Sequence, residues 1–178
     1  MKITLPIRYW DHGPTRKIST TDKSGRTIEV AYFSCVKITG ISKHYPLPLV
    51  YSYKNKRLYL PLREKFMSLD RGTVYETSGM NYEIEHIPLG KTCDVPMFYF
   101  AYNMSNYYHF IYDTLPYLYS YFNEKYIHPD MKLLVSPPEG QDDLYPFVWD
   151  SLAMLGITKK DVVFLDTDVM YNRVCVSS

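Results

Sequence analysis

Residues 97–125, MFYFAYNMSNYYHFIYDTLPYLYSYFNEK, carry the strongest fold signal in the chain. The first part, residues 97–102, is a continuous apolar run of strand length, which is typical of a strand buried on both faces of a sheet. Residues 106–125 then follow a helical pattern. We expect this helix to pack on the sheet through one apolar stripe, formed by Ile111, Leu115, Leu118 and Phe122. A buried strand followed by an amphipathic helix predicts the first unit of an α/β fold.

The same alternation of strands and helices continues after this first unit. Residues 132–136 predict a second strand, and residues 143–155 predict a second helix that ends at a glycine. Two further strands are expected at residues 162–165 and 173–176. This order predicts a parallel sheet, so residues 95–178 are expected to form a Rossmann-like α/β half-domain.

The N-terminal part of the chain has a different sequence pattern. Residues 27–37 are rich in β-branched and aromatic side chains, and residues 57–62 form a second short apolar run. Prolines and glycine-containing turns interrupt the segments between such runs. Residues 1–94 are therefore predicted to form a β-rich N-terminal region that precedes the α/β half.

Composition and charge exclude several classes of function. The 178 residues have a net charge of +1, which provides no basic field for nucleic acid or for an anionic membrane surface. The N-terminal sequence lacks the pattern of a signal peptide, and no apolar run has the length of a membrane span. We therefore expect a soluble, cytoplasmic protein. The three cysteines have no zinc-like spacing, so we expect free thiols and no metal or other cofactor.

One helix carries the best candidate for chemistry. His109 and Asp113 lie four residues apart, so the carboxylate can orient the imidazole or stabilise its charge. The helix is expected to start at the carboxyl end of the buried strand, where ligands bind in open α/β sheets. The polar side of this helix is formed by Asn106, His109, Asp113, Pro116 and Ser120. Pro116 cannot donate to the carbonyl of Tyr112, so a local irregularity is expected beside Asp113. The alternative is an ordinary surface ion pair.

The segment NYYHFIYDTLP, residues 106–116, resembles a signature of glycosyltransferase family 61. That signature reads N-x-aromatic-H-aromatic-x-x-D-x-L-P, and the resemblance covers residues 95–178 better than the β-rich front. It implies half of a GT-B-type, two-domain inverting enzyme that moves a sugar from a nucleotide donor, such as a UDP-sugar, to a hydroxyl of a glycan or protein. It also implies that His109 and Asp113 are catalytic and that Asn106 and Tyr108 bind substrate.

In enzymes of this kind a second, C-terminal Rossmann domain holds most of the nucleotide sugar. The resemblance implies that residues 1–178 correspond only to the N-terminal half of such an enzyme. We therefore expect the donor-binding half to belong to a longer protein or to another chain. The alternative is a non-catalytic module that binds a glycan or a partner chain, and the 19 tyrosines of the sequence are compatible with it because tyrosine rings stack on sugars.

A second motif offers a rival interpretation. Asp166 and Asp168 follow the apolar run at residues 162–165 and form a D-x-D sequence. This pattern resembles the metal-and-diphosphate site of the other large glycosyltransferase fold, in which paired carboxylates hold a divalent cation. An aspartate after a strand also caps turns, which is the structural alternative.

Overall fold

Two β-sheets and two helical stretches make up the part of the protein that the structure describes. The computed structural model describes residues 2–9, 16–21, 27–40, 48–52, 57–60, 81–85, 90–100, 104–138 and 140–177. The described strands, numbered in chain order, are β1 Lys2–Tyr9, β2 Arg16–Thr21, β3 Thr27–Phe33, β4 Val36–Gly40, β5 Pro48–Ser52, β6 Arg57–Leu60, β7 Asn81–Glu85, β8 Thr92–Cys93, β9 Met97–Phe100, β10 Lys132–Val135, β11 Val162–Phe164, β12 Met170–Tyr171 and β13 Val174–Ser177. The prediction of a mixed α/β protein is therefore confirmed.

The first sheet has six strands in the order β11-β10-β9-β13-β3-β2. Strands β11, β10, β9 and β13 run parallel to one another, as predicted for this half of the chain. Strands β3 and β2 add to β13 in antiparallel pairing. All four residues of β9 are buried, which confirms a central strand covered on both faces.

The second sheet has seven strands in the order β7-β1-β6-β5-β4-β12-β8. It combines strands of the predicted β-rich front with β12 from the C-terminal part, and Tyr171 of β12 pairs with both Val36 and Cys93. Each sheet thus draws strands from both sides of residues 94 and 95. The division of the chain into residues 1–94 and 95–178 therefore stays a prediction from the sequence pattern.

The helix predicted over residues 106–125 is a composite of different helical types. It consists of α1 (Tyr107–His109), a π-helical turn (Phe110–Thr114), a 3-10 turn (Leu115–Tyr117) and α2 (Leu118–Ile127). The N–H of Leu115 donates to the carbonyl of Phe110, five residues back. Pro116 follows directly, and its ring would clash with a carbonyl four residues earlier in a regular helix. The wider π turn accommodates the proline, so the predicted irregularity beside Asp113 is confirmed.

The π turn also changes which side of the helix faces the sheet. The residues completely shielded from solvent are Phe110, Thr114, Leu118 and Tyr121, with at most 1% exposure. Phe122, predicted to be buried, is 39% exposed, so that prediction is wrong. Ser120, predicted on the polar side, is buried and its hydroxyl lies 2.9 Å from that of Ser177. A π turn rotates less per residue than an α turn, which displaces the buried stripe relative to the regular pattern.

The second helix, α3, spans Pro146–Met154 and is shorter than predicted. Pro146 occupies the first turn, where its missing N–H costs nothing, and so the helix begins there. At its end the N–H groups of Gly156 and Ile157 donate to the carbonyls of Ala153 and Leu152, both at 2.9 Å. Gly156 has a φ of 77°, the left-handed conformation that this type of helix end requires.

A partly buried ion pair connects α2 to the turn before β11. The Lys125 ammonium lies 2.9 Å from Asp161 Oδ1 and also donates to the carbonyl of Met131 at 3.0 Å. Thr158 donates to the other carboxylate oxygen through both its N–H and its hydroxyl. The hydrogen bond from Lys125, together with those from Thr158, holds the pKa of Asp161 well below its ordinary value of 3.8. The pair therefore stabilises the fold while the carboxylate is charged.

We predict that Asp161→Asn lowers the free energy of unfolding by about 1–2 kcal/mol at pH 7, since it removes the charged acceptor of the hydrogen bonds from Lys125 and Thr158. Because the pKa is lowered in the folded state, this stabilisation is fully present well above the unfolded value near 3.8 and is lost progressively as the pH falls from there through the lower folded pKa. The difference between the two proteins should therefore be smaller at pH 3 than at pH 7. Urea unfolding of both proteins at pH 7 and pH 3 measures the difference. The exposed Asp150→Asn is the control. An equal effect of the two substitutions at pH 7 would contradict the assignment.

Candidate functional site

The candidate site lies beyond the carboxyl end of the central parallel strand. Strand β9 ends at Phe100 and α1 begins at Tyr107. Asn106 has an extended backbone, with φ −116° and ψ 120°, and its side-chain oxygen accepts a hydrogen bond from the N–H of His109 at 3.2 Å. Asn106 is thus an N-cap, a position that asparagine strongly favours. The expected helix start is confirmed.

His109 and Asp113 form a hydrogen-bonded pair at this helix start. The Nδ1 atom of His109 lies 2.7 Å from Oδ2 of Asp113, which confirms the contact predicted from their four-residue spacing. The side chains are 50% and 59% exposed, so both reach solvent. When Nδ1–H donates to the carboxylate, Nε2 is the basic nitrogen of the ring. The pair can therefore accept a proton from a ligand bound at the surface.

The pair spans the irregular part of the composite helix. His109 is the last residue of α1, and Asp113 lies inside the π turn. Phe110 anchors this turn from below: it is fully buried and makes edge-to-face contacts with Phe100 at 6.5 Å and Phe147 at 5.7 Å. Single π turns in helices occur frequently at functional sites. The backbone that carries the pair is thus fixed by the core beneath it.

Exposed tyrosines are neighbours of the pair in the chain, and one of their rings contacts His109. Tyr108, the predicted substrate-binding residue, has its ring centroid 5.8 Å from that of His109 and 4.6 Å from that of Tyr112. Tyr107 and Tyr108 are each 62% exposed and Tyr112 is 65% exposed. The structure therefore brings together Asn106, Tyr108, His109 and Asp113, as expected. It adds Tyr107 and Tyr112, which the sequence signalled only as part of a general enrichment in tyrosine.

The D-x-D residues lie at a different place and form a turn. They follow β11, and β10 separates that strand from β9. Oδ1 of Asp166 accepts the N–H of Asp168 at 2.8 Å, and the carbonyl of Asp166 accepts the N–H of Val169 at 3.1 Å. The backbone of Asp168 also packs so closely on Gly90 that an added Cβ there would lie 2.0 Å from its carbonyl oxygen. These contacts are those of a turn held by an aspartate.

The surroundings of that turn do not supply a metal site in the described part of the chain. Within the ranges that the structure describes, no three His, Cys, Asp or Glu side chains are placed to hold a metal ion. The three cysteines are free thiols, and burial raises the pKa of Cys175 well above its ordinary value. A buried thiol of this kind is unreactive. Among the described helices, none combines the length and apolar character needed to cross a membrane.

Comparison with known proteins does not assign the chain to a family. Searches against protein-family models, curated proteins and solved structures each gave no match. Function is therefore inferred from the geometry around residues 106–113 and from the signature that those residues resemble. Both sources concern the same two residues, His109 and Asp113, whose side chains are hydrogen-bonded at 2.7 Å.

Proposed function

We propose that this chain is the N-terminal part of a glycosyltransferase that transfers a sugar from a nucleotide-sugar donor, such as a UDP-sugar, to a hydroxyl of a glycan or protein acceptor. The observation that carries the proposal is the solvent-exposed pair of His109 and Asp113, 2.7 Å apart in a π-distorted helix. The signature at residues 106–116 supports it, since the same residues match the pattern of family 61.

The chemistry assigned to the pair is general-base catalysis. Nε2 of His109 takes the proton from the acceptor hydroxyl while the acceptor oxygen attacks the anomeric carbon of the donor. The bond from that carbon to the phosphate oxygen breaks, and the nucleoside diphosphate leaves. Asp113 holds the ring in the tautomer with a basic Nε2 and stabilises the imidazolium that forms. One displacement of this kind inverts the anomeric configuration.

The strand order is compatible with the Rossmann-like half that the proposal requires. Among the parallel strands β9, β10, β11 and β13, the order across the sheet is third, second, first, fourth. A doubly wound nucleotide-binding sheet has the order 3-2-1-4-5-6, whose first four strands follow the same order, and its ligands bind at the carboxyl ends of the strands beside the reversal. The reversal lies between β9 and β13, and the candidate helix follows β9. The connection from β11 to β13 differs, because it contains β12 in place of a helix.

The proposal assigns the nucleotide part of the donor to a second Rossmann domain, in the same polypeptide or in another chain. The acceptor-binding surface and the general base are proposed to lie within residues 1–178. The protein purified with its natural partners is the material for the test. We expect it to release nucleoside diphosphate from one sugar of a nucleotide-sugar panel only when an acceptor is present. Absence of acceptor-dependent release with every donor would contradict the proposal.

A second candidate is a non-catalytic module that binds a glycan. The observation in its favour is the group of exposed rings of Tyr107, Tyr108 and Tyr112, which can stack on sugars whether or not chemistry follows. The two candidates differ in the effect of His109→Ala. A transferase loses product formation in this variant, whereas a binding module keeps its glycan affinity and forms no product in either protein.

The metal-dependent alternative gives a separate prediction. Asp166→Asn and Asp168→Asn are expected to leave sugar transfer at the wild-type level, because the carboxylate of Asp166 already accepts a backbone N–H in its turn. Dialysis against EDTA is likewise expected to have no effect. If EDTA instead lowers the rate of sugar transfer by about 10²-fold or more and added Mn²⁺ restores it, a metal ion held by Asp166 and Asp168 would bind the diphosphate of the donor. Transfer measured with and without Mn²⁺ distinguishes the two outcomes.

A further inference from the structure

A side chain of the second helix, α3, contacts the helix start that carries the candidate pair. Phe147 lies in the first turn of α3, directly after Pro146. Its ring meets those of Tyr107 and Phe110, with centroids 5.4 Å and 5.7 Å away and planes inclined by 80° and 65°. Both are edge-to-face arrangements, which aromatic pairs prefer. Phe147 therefore connects α3 to two positions of the composite helix.

These two positions lie on either side of His109 in the chain. Tyr107 precedes His109 by two residues, and Phe110 follows it directly. Residues three apart share one side of a helix, so Tyr107 and Phe110 present a single side to Phe147. At about 3.6 residues per turn, His109 lies roughly 130° around the helix from that side, and its side chain is 50% exposed. Phe147 thus supports the backbone of His109 from behind, while the imidazole projects toward solvent.

Phe147 is itself held in place by its own helix. Its half-buried ring stacks on that of Tyr145, with centroids 5.7 Å apart and planes inclined by 9°. Val148 and Leu152 of the same helix are completely buried in the cluster that also contains Phe110. In the chain, α3 follows β10 and the composite helix follows β9, and these strands are parallel neighbours in the sheet. The contact therefore joins two helices that both pack on the same sheet.

The geometry of His109 and Asp113 depends on this support. Their side chains are 50% and 59% exposed, and an exposed ion pair does not by itself hold two side chains in one arrangement. A catalytic base needs a fixed position, since a displacement of about 1 Å can cost about 10²-fold in rate. We propose that Phe147 is a positioning residue: its ring fixes the backbone of His109, so that Nδ1–H donates to Asp113 and Nε2 remains the base. The consequence for catalysis rests on the proposed transferase function, whereas the consequence for the imidazole does not.

The tautomer of His109 tests the proposal without any substrate. In the full protein with isotope-labelled histidine, long-range NMR correlations report which ring nitrogen carries the proton, and His109→Ala identifies the signals of His109. At about pH 9, where an ordinary imidazole is neutral, we expect wild type to show mainly the Nδ1–H form. Phe147→Ala should give a mixture of both tautomers, because the hydrogen bond to Asp113 is no longer held in place.

The rate of sugar transfer is the second readout. For the protein with its natural partners, Phe147→Ala should lower kcat by about 10- to 10²-fold and leave KM for the acceptor close to its wild-type value, because the base is misplaced while the binding groups remain. Phe147→Leu keeps most of the side-chain volume and provides a folded variant if the alanine protein does not fold. Its kcat and its tautomer ratio should lie between those of wild type and Phe147→Ala.

Trp149 provides a matched control on the same helix. It is also aromatic and half-buried, and two residues along a helix correspond to roughly 200°, so its ring points away from that of Phe147. The ring of Trp149 contacts Phe164 of β11 at 6.5 Å and the ammonium of Lys159 at 5.1 Å. Trp149→Ala therefore removes a comparable ring from α3 and should keep the wild-type tautomer and kcat. A purely structural role of Phe147 would make the two alanine variants alike.

The outcomes separate the positioning role from the transferase proposal. A wild-type tautomer in Phe147→Ala and Phe147→Leu would overturn the positioning role, and so would a mixture of tautomers in wild type. Equal changes in Phe147→Ala and Trp149→Ala would overturn it as well, because they would show general destabilisation. A mixed tautomer with wild-type kcat, in a protein whose transfer requires His109, would likewise overturn it. If His109→Ala transfers normally, the transferase proposal fails, and the tautomer still decides whether Phe147 positions the ring.

Discussion

His109→Ala is expected to lower the rate of sugar transfer by about 10²- to 10⁴-fold, the usual contribution of a positioned general base. The expectation follows from the 2.7 Å contact between His109 Nδ1 and Asp113 Oδ2, which leaves Nε2 as the basic nitrogen at an exposed position. The rate is measured as nucleoside diphosphate released by the purified protein with its partners. The substitution is at the surface, so the fold should be unchanged.

Two other variants test the partner of His109 and provide a control. Asp113→Asn keeps the shape of the side chain and removes the charge that stabilises the imidazolium, so transfer should fall here as well. His128→Ala changes another exposed histidine, at the C-terminal end of α2, and should transfer like wild type. Normal transfer in both His109→Ala and Asp113→Asn would show that the two residues form an ordinary surface ion pair with no catalytic role.

Phe110→Ala is expected to lower the free energy of unfolding by about 3–5 kcal/mol, the range for a buried phenylalanine that leaves a cavity. Its ring is fully buried in the same cluster as Phe100, Leu118 and Phe147. It also anchors the π turn that holds Asp113, so loss of the ring should disturb the pair as well as the core. Chemical denaturation followed by circular dichroism measures the change.

The control lies two residues further along the same turn. Tyr112→Ala removes an aromatic ring that is 65% exposed and should change the free energy of unfolding by no more than about 0.5 kcal/mol. Phe110→Leu keeps most of the buried volume and should cost less than about 1.5 kcal/mol, which provides a folded variant if the alanine protein does not fold. A cost of Phe110→Ala below that of Tyr112→Ala would contradict the anchoring role of Phe110.

Local sequence predicted the strands and the pair because both depend on short-range patterns. The continuous apolar run of β9 has no polar face, which is typical of a strand buried on both faces of a sheet. The four-residue spacing of His109 and Asp113 places their side chains next to each other on a helix. Pro116 indicated an irregularity for the same reason, since its effect on the preceding turn is steric and local.

The rest depends on contacts that local patterns do not encode. The burial of Ser120 and the exposure of Phe122 follow from the displaced stripe after the π turn, and a periodicity count assumes a regular helix. The antiparallel addition of β3 to β13 joins residues about 140 positions apart in the chain. No property of residues 27–33 alone specifies that partner. The contact between His109 and Asp113 could thus be predicted from sequence, whereas the support of this pair by the core could not.

Single-turnover sugar transfer tests the central claim most directly, because it isolates the chemical step from binding and from product release. Wild type and His109→Ala, each with their natural partners, would be loaded with donor and mixed with acceptor. If His109 is the base, the rate of the single turnover falls by about 10²-fold or more in His109→Ala while acceptor affinity stays at the wild-type value. An unchanged turnover rate, with or without weaker acceptor binding, would contradict the claim that His109 and Asp113 carry the chemistry.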